Sequence, residues 1–77
     1  MVVAYALVEA DTSDTSGLVA EVTDIEGVKG AHVVAGDIDL IAQVEVPNPG
    51  SVSQIITGEI AAFDAVADTE TYMSMDK

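Results

Sequence analysis

The chain has 77 residues, no cysteine, and fourteen acidic side chains against two lysines and no arginine, for a net charge of −12. A single domain of this size buries only about 60% of the surface its unfolded chain exposes, and without cysteine no disulfide or thiolate-held metal can staple it, so a homo-oligomer is the expected support. The scarcity of basic side chains excludes direct contact with nucleic-acid phosphates and with anionic membranes.

Val2-Val3-Ala4-Tyr5-Ala6-Leu7-Val8 is apolar at both alternating sets of positions, which predicts a central strand covered on both faces. No basic residue precedes it and Glu9 ends it, so it reads as a first strand and not as a signal peptide. No apolar run approaches the ~20 residues of a membrane helix. Asp11-Thr12-Ser13-Asp14-Thr15 is a polar break that offers several N-cap residues. Leu18, Val22 and Ile25, with Val19 beside them, then recur at helical spacing, while Glu21, Asp24 and Glu26 fall outside that stripe. Gly27 stops the helix as a C-cap glycine does.

A second strand runs from about Val28 to Ala35 and a third from about Asp39 to Val46, folded back on each other around Ala35-Gly36-Asp37-Ile38-Asp39. In the third, Leu40, Ala42, Val44 and Val46 share a dry face, and Asp39, Ile41, Gln43 and Glu45 share a mixed one. Pro47-Asn48-Pro49-Gly50 breaks the strand, with Asn48 placed to cap a second helix and Pro49 at its first position. Val52, Ile55, Ile56, Ile60 and Phe63 give that helix its apolar stripe, and a last strand runs from about Thr69 to Met75.

The order β-α-β-β-α-β, with Gly27-Val28 and Ala65-Val66 as a weak internal echo, predicts an α+β, ferredoxin-like βαββαβ sandwich. Its four-stranded antiparallel sheet carries two helices on one face, and right-handed crossovers put strands one and three in the centre. The other face holds some of Tyr5, Leu7, Ile41, Met73 and Met75. An open apolar face of this kind predicts a face-to-face dimer, closed as an α/β barrel. A charge of −12 repels itself, and in about 1 M salt the Debye length falls to ~3 Å, which removes most of that cost. The acidic excess therefore suggests a high-salt cytoplasm. The plainer alternative is a mesophilic acidic protein kept soluble by its charge.

Val28-x-x-Ala31-x-Val33-Val34-Ala35-Gly36-Asp37-Ile38-Asp39-Leu40 resembles the effector (RAM) domain of the Lrp/AsnC transcriptional regulators. The opening Ala4-Tyr5-Ala6-Leu7-Val8 and the closing Val66-x-x-Thr69-x-Thr71-Tyr72 match it as well. The resemblance covers residues 1–77 as one domain, and its most specific motif is the Gly-x-x-Asp turn. With the acidic composition, it implies a haloarchaeal member. In that family the domain normally follows a helix-turn-helix, so a chain that starts at strand one is expected to be a stand-alone effector domain. It would bind no DNA itself and would partner a full-length regulator.

The resemblance implies a free amino acid or similar small metabolite bound where subunits meet. Carried over residue by residue, Gly36 would allow close backbone approach, Asp39 would pair with the ligand's α-ammonium, and Ala35 and Ile38 would shape the site. Thr69 and Thr71 of another subunit would offer hydroxyls. Ala35 stands where a threonine is frequent in the family and Ile38 where an aromatic is frequent, which leaves fewer polar contacts. Each residue also has a structural reading: Gly36 as a left-handed turn residue, Asp37 as a solvated one, Asp39 as a cap of the turn backbone, and Thr69 and Thr71 as strand formers.

His32, the one histidine, lies mid-strand with no acidic or nucleophilic partner nearby, so no catalytic residue, cofactor or metal is expected. Small monooxygenases and isomerases built on the same dimer are the enzyme alternative. A purely structural or ACT-like domain of the same topology is the third.

Overall fold

The computed structural model describes residues 1–76. In chain order it contains β1 (Val2–Ala10), α1 (Thr15–Thr23), β2 (Val28–Val33), β3 (Leu40–Val46), α2 (Pro49–Ile55) and β4 (Val66–Met73), with one π-helical turn (Ile56–Ile60) following α2. The sheet order is β2-β3-β1-β4 with every neighbouring pair antiparallel, so β1 and β3 occupy the centre. This is the expected ferredoxin-like sandwich.

Both helices start where a side chain satisfies their free amides. Asp14 Oδ1 accepts from Gly17 N–H at 3.1 Å, and Asn48 Oδ1 accepts from Ser51 N–H at 2.9 Å, with Pro49 at the first helical position. Each cap is worth about 1 kcal/mol. Gly27, at φ +102°, takes the left-handed conformation that lets the chain turn from α1 into β2.

The core lies between the sheet and the helices. Ala4, Ala6 and Val8 of β1 and Leu40, Ala42, Val44 and Val46 of β3 pack there with Leu18, Val22, Val52, Ile55, Ile56 and Ile60. The strict alternation of β3 comes out as read, with buried and half-buried residues in turn. Alanines at the centre of β1 let the helices approach the sheet closely. Burying an isoleucine such as Ile60 stabilises the fold by about 1.5–3 kcal/mol.

Antiparallel register assigns the other face, because directly paired residues share a side. Leu7 pairs with Ile41 and with Glu70, and Ile41 pairs with His32; Tyr5 pairs with Gln43 and Tyr72, and Gln43 with Gly30. These residues form two rows across the helix-free face. Met73 pairs with Ala4 and so lies on the helix side, and Met75 lies beyond β4 and is almost fully exposed. Neither methionine belongs to the open face. β1 is covered by helices on one side only: Tyr5 remains 37% exposed.

Several boundaries differ from those expected. β1 continues past Val8 to Ala10, since Glu9 pairs with Asp68 and Ala10 with Val66 across a register shift. β2 ends at Val33, where Val34 N–H donates to the Asp39 carbonyl at 2.9 Å and closes a six-residue loop, Val34 to Asp39, wider than a tight turn. β4 begins at Val66 and ends at Met73, drawn early by the pairing with β1. The second helix is not uniformly α. Val52, Ile56 and Ile60 recur every four residues, slightly more than the 3.6 of an α-helix. The π turn takes up this excess, with Ala61 N–H donating to Ile56 C=O at 2.9 Å, and keeps Ile60 in the core.

Candidate functional site

The β2–β3 loop stands at one end of the sheet and holds Ala35, Gly36, Ile38 and Asp39 together. Asp39 is tied at three points. Its N–H donates to Val8 C=O at 2.9 Å, its C=O accepts from Val34 N–H at 2.9 Å, and Oδ2 accepts from Ala10 N–H at 2.8 Å. The carboxylate therefore caps the last residue of β1, twenty-nine positions away in sequence, and not the turn's own backbone. Its second oxygen, Oδ1, takes no hydrogen bond among the described residues, and the side chain is half-buried. One lone-pair set of Asp39 is structural and the other remains available to a donor.

Ala35, Gly36 and Asp37 are exposed and Ile38 is half-buried. Gly36 has φ +158°, a positive value that side chains rarely adopt, so its conformation favours glycine although it is not the left-handed value of about +57°. A Cβ built on it meets no atom within 4 Å, which leaves its backbone open to approach. Asp37 is solvated, as read.

Thr69 and Thr71 are not brought to this loop within one chain. Thr69 pairs with Val8, which pairs on its other side with Leu40, so β1 stands between β4 and the loop. Two strand spacings, about 10 Å, separate them. Both threonines lie on the helix side of β4, Thr69 half-buried and Thr71 exposed. Glu9, Asp11 and Asp68 stand at the same end of the sheet as Asp37 and Asp39. Long-range pairing made this grouping, and no local spacing signals it.

A polar cleft of about 400 Å³ opens at the opposite end of β3, between the sheet and α2, lined in part by Glu26, Lys29, Glu45 and Glu59. It includes none of the loop residues. Among the described residues no group of three or more His, Asp or Glu side chains is placed to hold a metal ion. His32 lies on the edge strand β2, exposed, on the helix-free face. Among the described residues no helix is long and apolar enough to cross a membrane.

Comparison with known proteins adds three kinds of finding. The sequence model for the Lrp/AsnC ligand binding domain matches residues 3–77. An uncharacterized HTH-type transcriptional regulator of Pyrococcus abyssi is 32% identical over 69 residues, which cover 88% of this chain and 46% of that protein. The chain thus spans about half the length of that relative. A crystal structure of a Thermus thermophilus protein superposes with a TM-score of 0.92 at 22% identity, covering 100% of this chain and 96% of the other. The complex of a Neisseria meningitidis transcriptional regulator with L-Met superposes with a TM-score of 0.83 at 14% identity, covering 99% of this chain and 51% of that one.

Proposed function

The chain belongs to the Lrp/AsnC ligand-binding domain family, and on that premise we propose that it senses a free amino acid or similar small effector and reports it through its own assembly. The observation that carries this reading is the family match, which runs over nearly the whole chain. The solved neighbour bound to L-Met supports the class of ligand. Asp39, through its uncommitted Oδ1, receives the α-ammonium, and the exposed backbone at Gly36 lets the ligand approach. Ala35 and Ile38 shape the site. Thr69 and Thr71 come from another subunit, since β1 keeps those of the same chain away from the loop.

The domain works as a homo-oligomer whose dimer joins two helix-free faces, and sensing requires that effector bind one assembly state better than another. It modulates transcription by co-assembling with a full-length Lrp/AsnC regulator that carries the DNA-binding arm. Catalysis is not part of this reading, which rests on the match to a ligand-binding domain of regulators. The acidic surface suits a cytoplasm of high salt, as in a haloarchaeal cell.

The test is a thermal-shift and size-exclusion screen of the proteinogenic amino acids in about 2 M KCl. One or a few raise the melting point, as a ligand of the native state must, and change the elution volume. Silence across the set favours a purely structural assembly domain.

A further inference from the structure

The polar cleft between β3 and α2 stands roughly 20 Å along β3 from the Asp39 loop and belongs to no site described above. Its volume of about 400 Å³ falls within the range of small-molecule pockets, about 300–1,000 Å³. Buried Ile55 gives it an apolar wall. Around that wall stand three glutamates, Glu26, Glu45 and Glu59, and one lysine, Lys29. The whole chain has two lysines and no arginine, so a basic side chain in this cleft does not come from a basic background. Among the described residues none of these four charged side chains makes a hydrogen bond to protein. Their charges are not committed to one another.

Two irregularities of the backbone bring unlike charges to the same opening. β2 pairs Val28 with Val44 and Gly30 with Gln43, two steps on one strand against one on the other, so Lys29 is the extra residue of a β-bulge. Val28 is buried on the helix side, and strict alternation would send Lys29 to the helix-free face. The bulge releases Lys29 from that alternation, and it lines the cleft beside α2 instead. On the second helix, Ser51, Ile55 and Glu59 recur every four residues, one position before Val52, Ile56 and Ile60. An uninterrupted α-helix would rotate Glu59 roughly 80° from the line of Ser51. The π turn that keeps Ile60 in the core offsets this rotation and holds Glu59 at the cleft with Ser51 and Ile55. Bulges and π turns recur beside binding sites because they re-aim side chains in this way.

We propose that this cleft binds a small aliphatic ligand with two ammonium groups and one carboxylate, the chemistry of a basic amino acid. Three carboxylates against one ammonium leave the lining net negative, so it favours a ligand that is cationic overall. Lys29 pairs with the ligand carboxylate, Glu26 and Glu59 pair with its ammonium groups, and its methylene chain lies along Ile55. Acidic ligands meet the repulsion of the three glutamates. Neutral zwitterions leave a carboxylate of the cleft unmatched. The site shares no residue with the Asp39 loop and does not rest on the reading of that loop.

Amide NMR spectra in about 0.5 M KCl at neutral pH test this with three probes. They are L-lysine, cadaverine, which lacks the carboxylate, and L-norleucine, which lacks the side-chain ammonium. The same spectra report whether each variant is folded. L-lysine and cadaverine move the amides of Lys29, Ser51 and Gln54, and L-norleucine binds there about two- to fivefold more weakly than L-lysine. Glu59→Gln weakens both cations by about the same factor. Lys29→Gln weakens L-lysine and tightens cadaverine, because it removes a counter-charge from one and a like charge from the other. Tightening of both probes in Lys29→Gln overturns the proposal, as does equal binding of L-lysine and L-norleucine. Shifts confined to Gly36, Asp39 and their loop overturn it too, and leave the effector reading of that loop standing. Shifts at the cleft with the loop silent uphold this site and count against the loop.

Discussion

Asp39 caps β1 and, in the proposed reading, also receives the effector, and the two roles separate by substitution. Asp39→Ala removes the acceptor of Ala10 N–H, a 2.8 Å bond to a carboxylate. Hydrogen bonds to charged groups contribute about 1.5–3 kcal/mol, but water reaches a half-buried amide once the carboxylate is gone, so a loss of about 1–2 kcal/mol is expected. In a domain of this size each kcal/mol moves the midpoint by about 4–8 °C, which gives a fall of roughly 4–16 °C. Asp39→Asn keeps a carbonyl oxygen in place and loses only the charge, so about half of that stability is retained. The measurement is thermal unfolding at fixed protein and salt concentration, with effector titrated into each variant. Asn retains the fold yet binds an amino-acid effector at least tenfold more weakly, since the ammonium has lost its counter-charge. Asn and Ala falling equally in stability refutes the capping role. Asn binding effector as tightly as the wild type refutes the ammonium role.

The other predictions concern the scaffold. Gly27→Ala is expected to cost about 2–4 kcal/mol, because it forces a side chain into φ +102° and sets a Cβ 2.5 Å from Ile55 Cδ1; urea unfolding with a cost under about 0.5 kcal/mol contradicts this. Gly58→Ala, in the exposed part of the π turn with no atom within 4 Å of its new Cβ, should stabilise by about 0.4–1 kcal/mol in the same assay. Ile60→Ala empties a fully buried site and should cost about 2–5 kcal/mol, with effector affinity per folded molecule unchanged by calorimetry. Raising KCl from about 0.1 to 2 M should raise the melting point, since screening relieves a net charge of −12; a flat or falling midpoint removes the case for a high-salt setting.

What could be read from the chain alone followed the reach of each signal. β3 was legible because its period-two pattern coincides with burial on one face, Leu40 to Val46. The polar break from Asp11 to Thr15, Gly27 and Asn48 announced the helix ends because caps are local chemistry, and the structure picks Asp14 from that break as the cap. β4 was read three residues late because Ala67-Asp68 looks like loop: an edge strand shows no alternating burial, and only the pairing of Ala10 with Val66 and of Glu9 with Asp68 defines its start. The π turn escaped notice because a spacing of four is compatible with an ordinary helix until Ile60 must reach the core. At the candidate site, the loop was legible as a unit, but the bond from Ala10 to Asp39 joins residues twenty-nine apart. Gly36 does hold a positive φ that favours glycine, but not the left-handed value of a tight turn, because the reversal is spread over a six-residue loop.

The pattern of burial bears on how the proposed assembly and the proposed sensing would be coupled. The buried hydrophobic residues among those described are all aliphatic, and the aromatic rings of Tyr5 and Tyr72 stand 37% and 53% exposed on the helix-free face. At these exposures, covering both rings buries about one aromatic side chain's worth of surface, roughly 150–250 Å², or several kcal/mol at about 25 cal/mol per Å² for the two together. Both tyrosine rings of the chain therefore lie where a partner sheet would sit. A lone domain with no disulfide gains more from covering that face than from any single internal contact. Acidic residues flank the face at both ends, so the gain is opposed by repulsion that salt or a cationic group at Asp39 each reduces. An effector's ammonium group would then act on the same balance as salt, by removing negative charge from a surface that already has an apolar reason to associate.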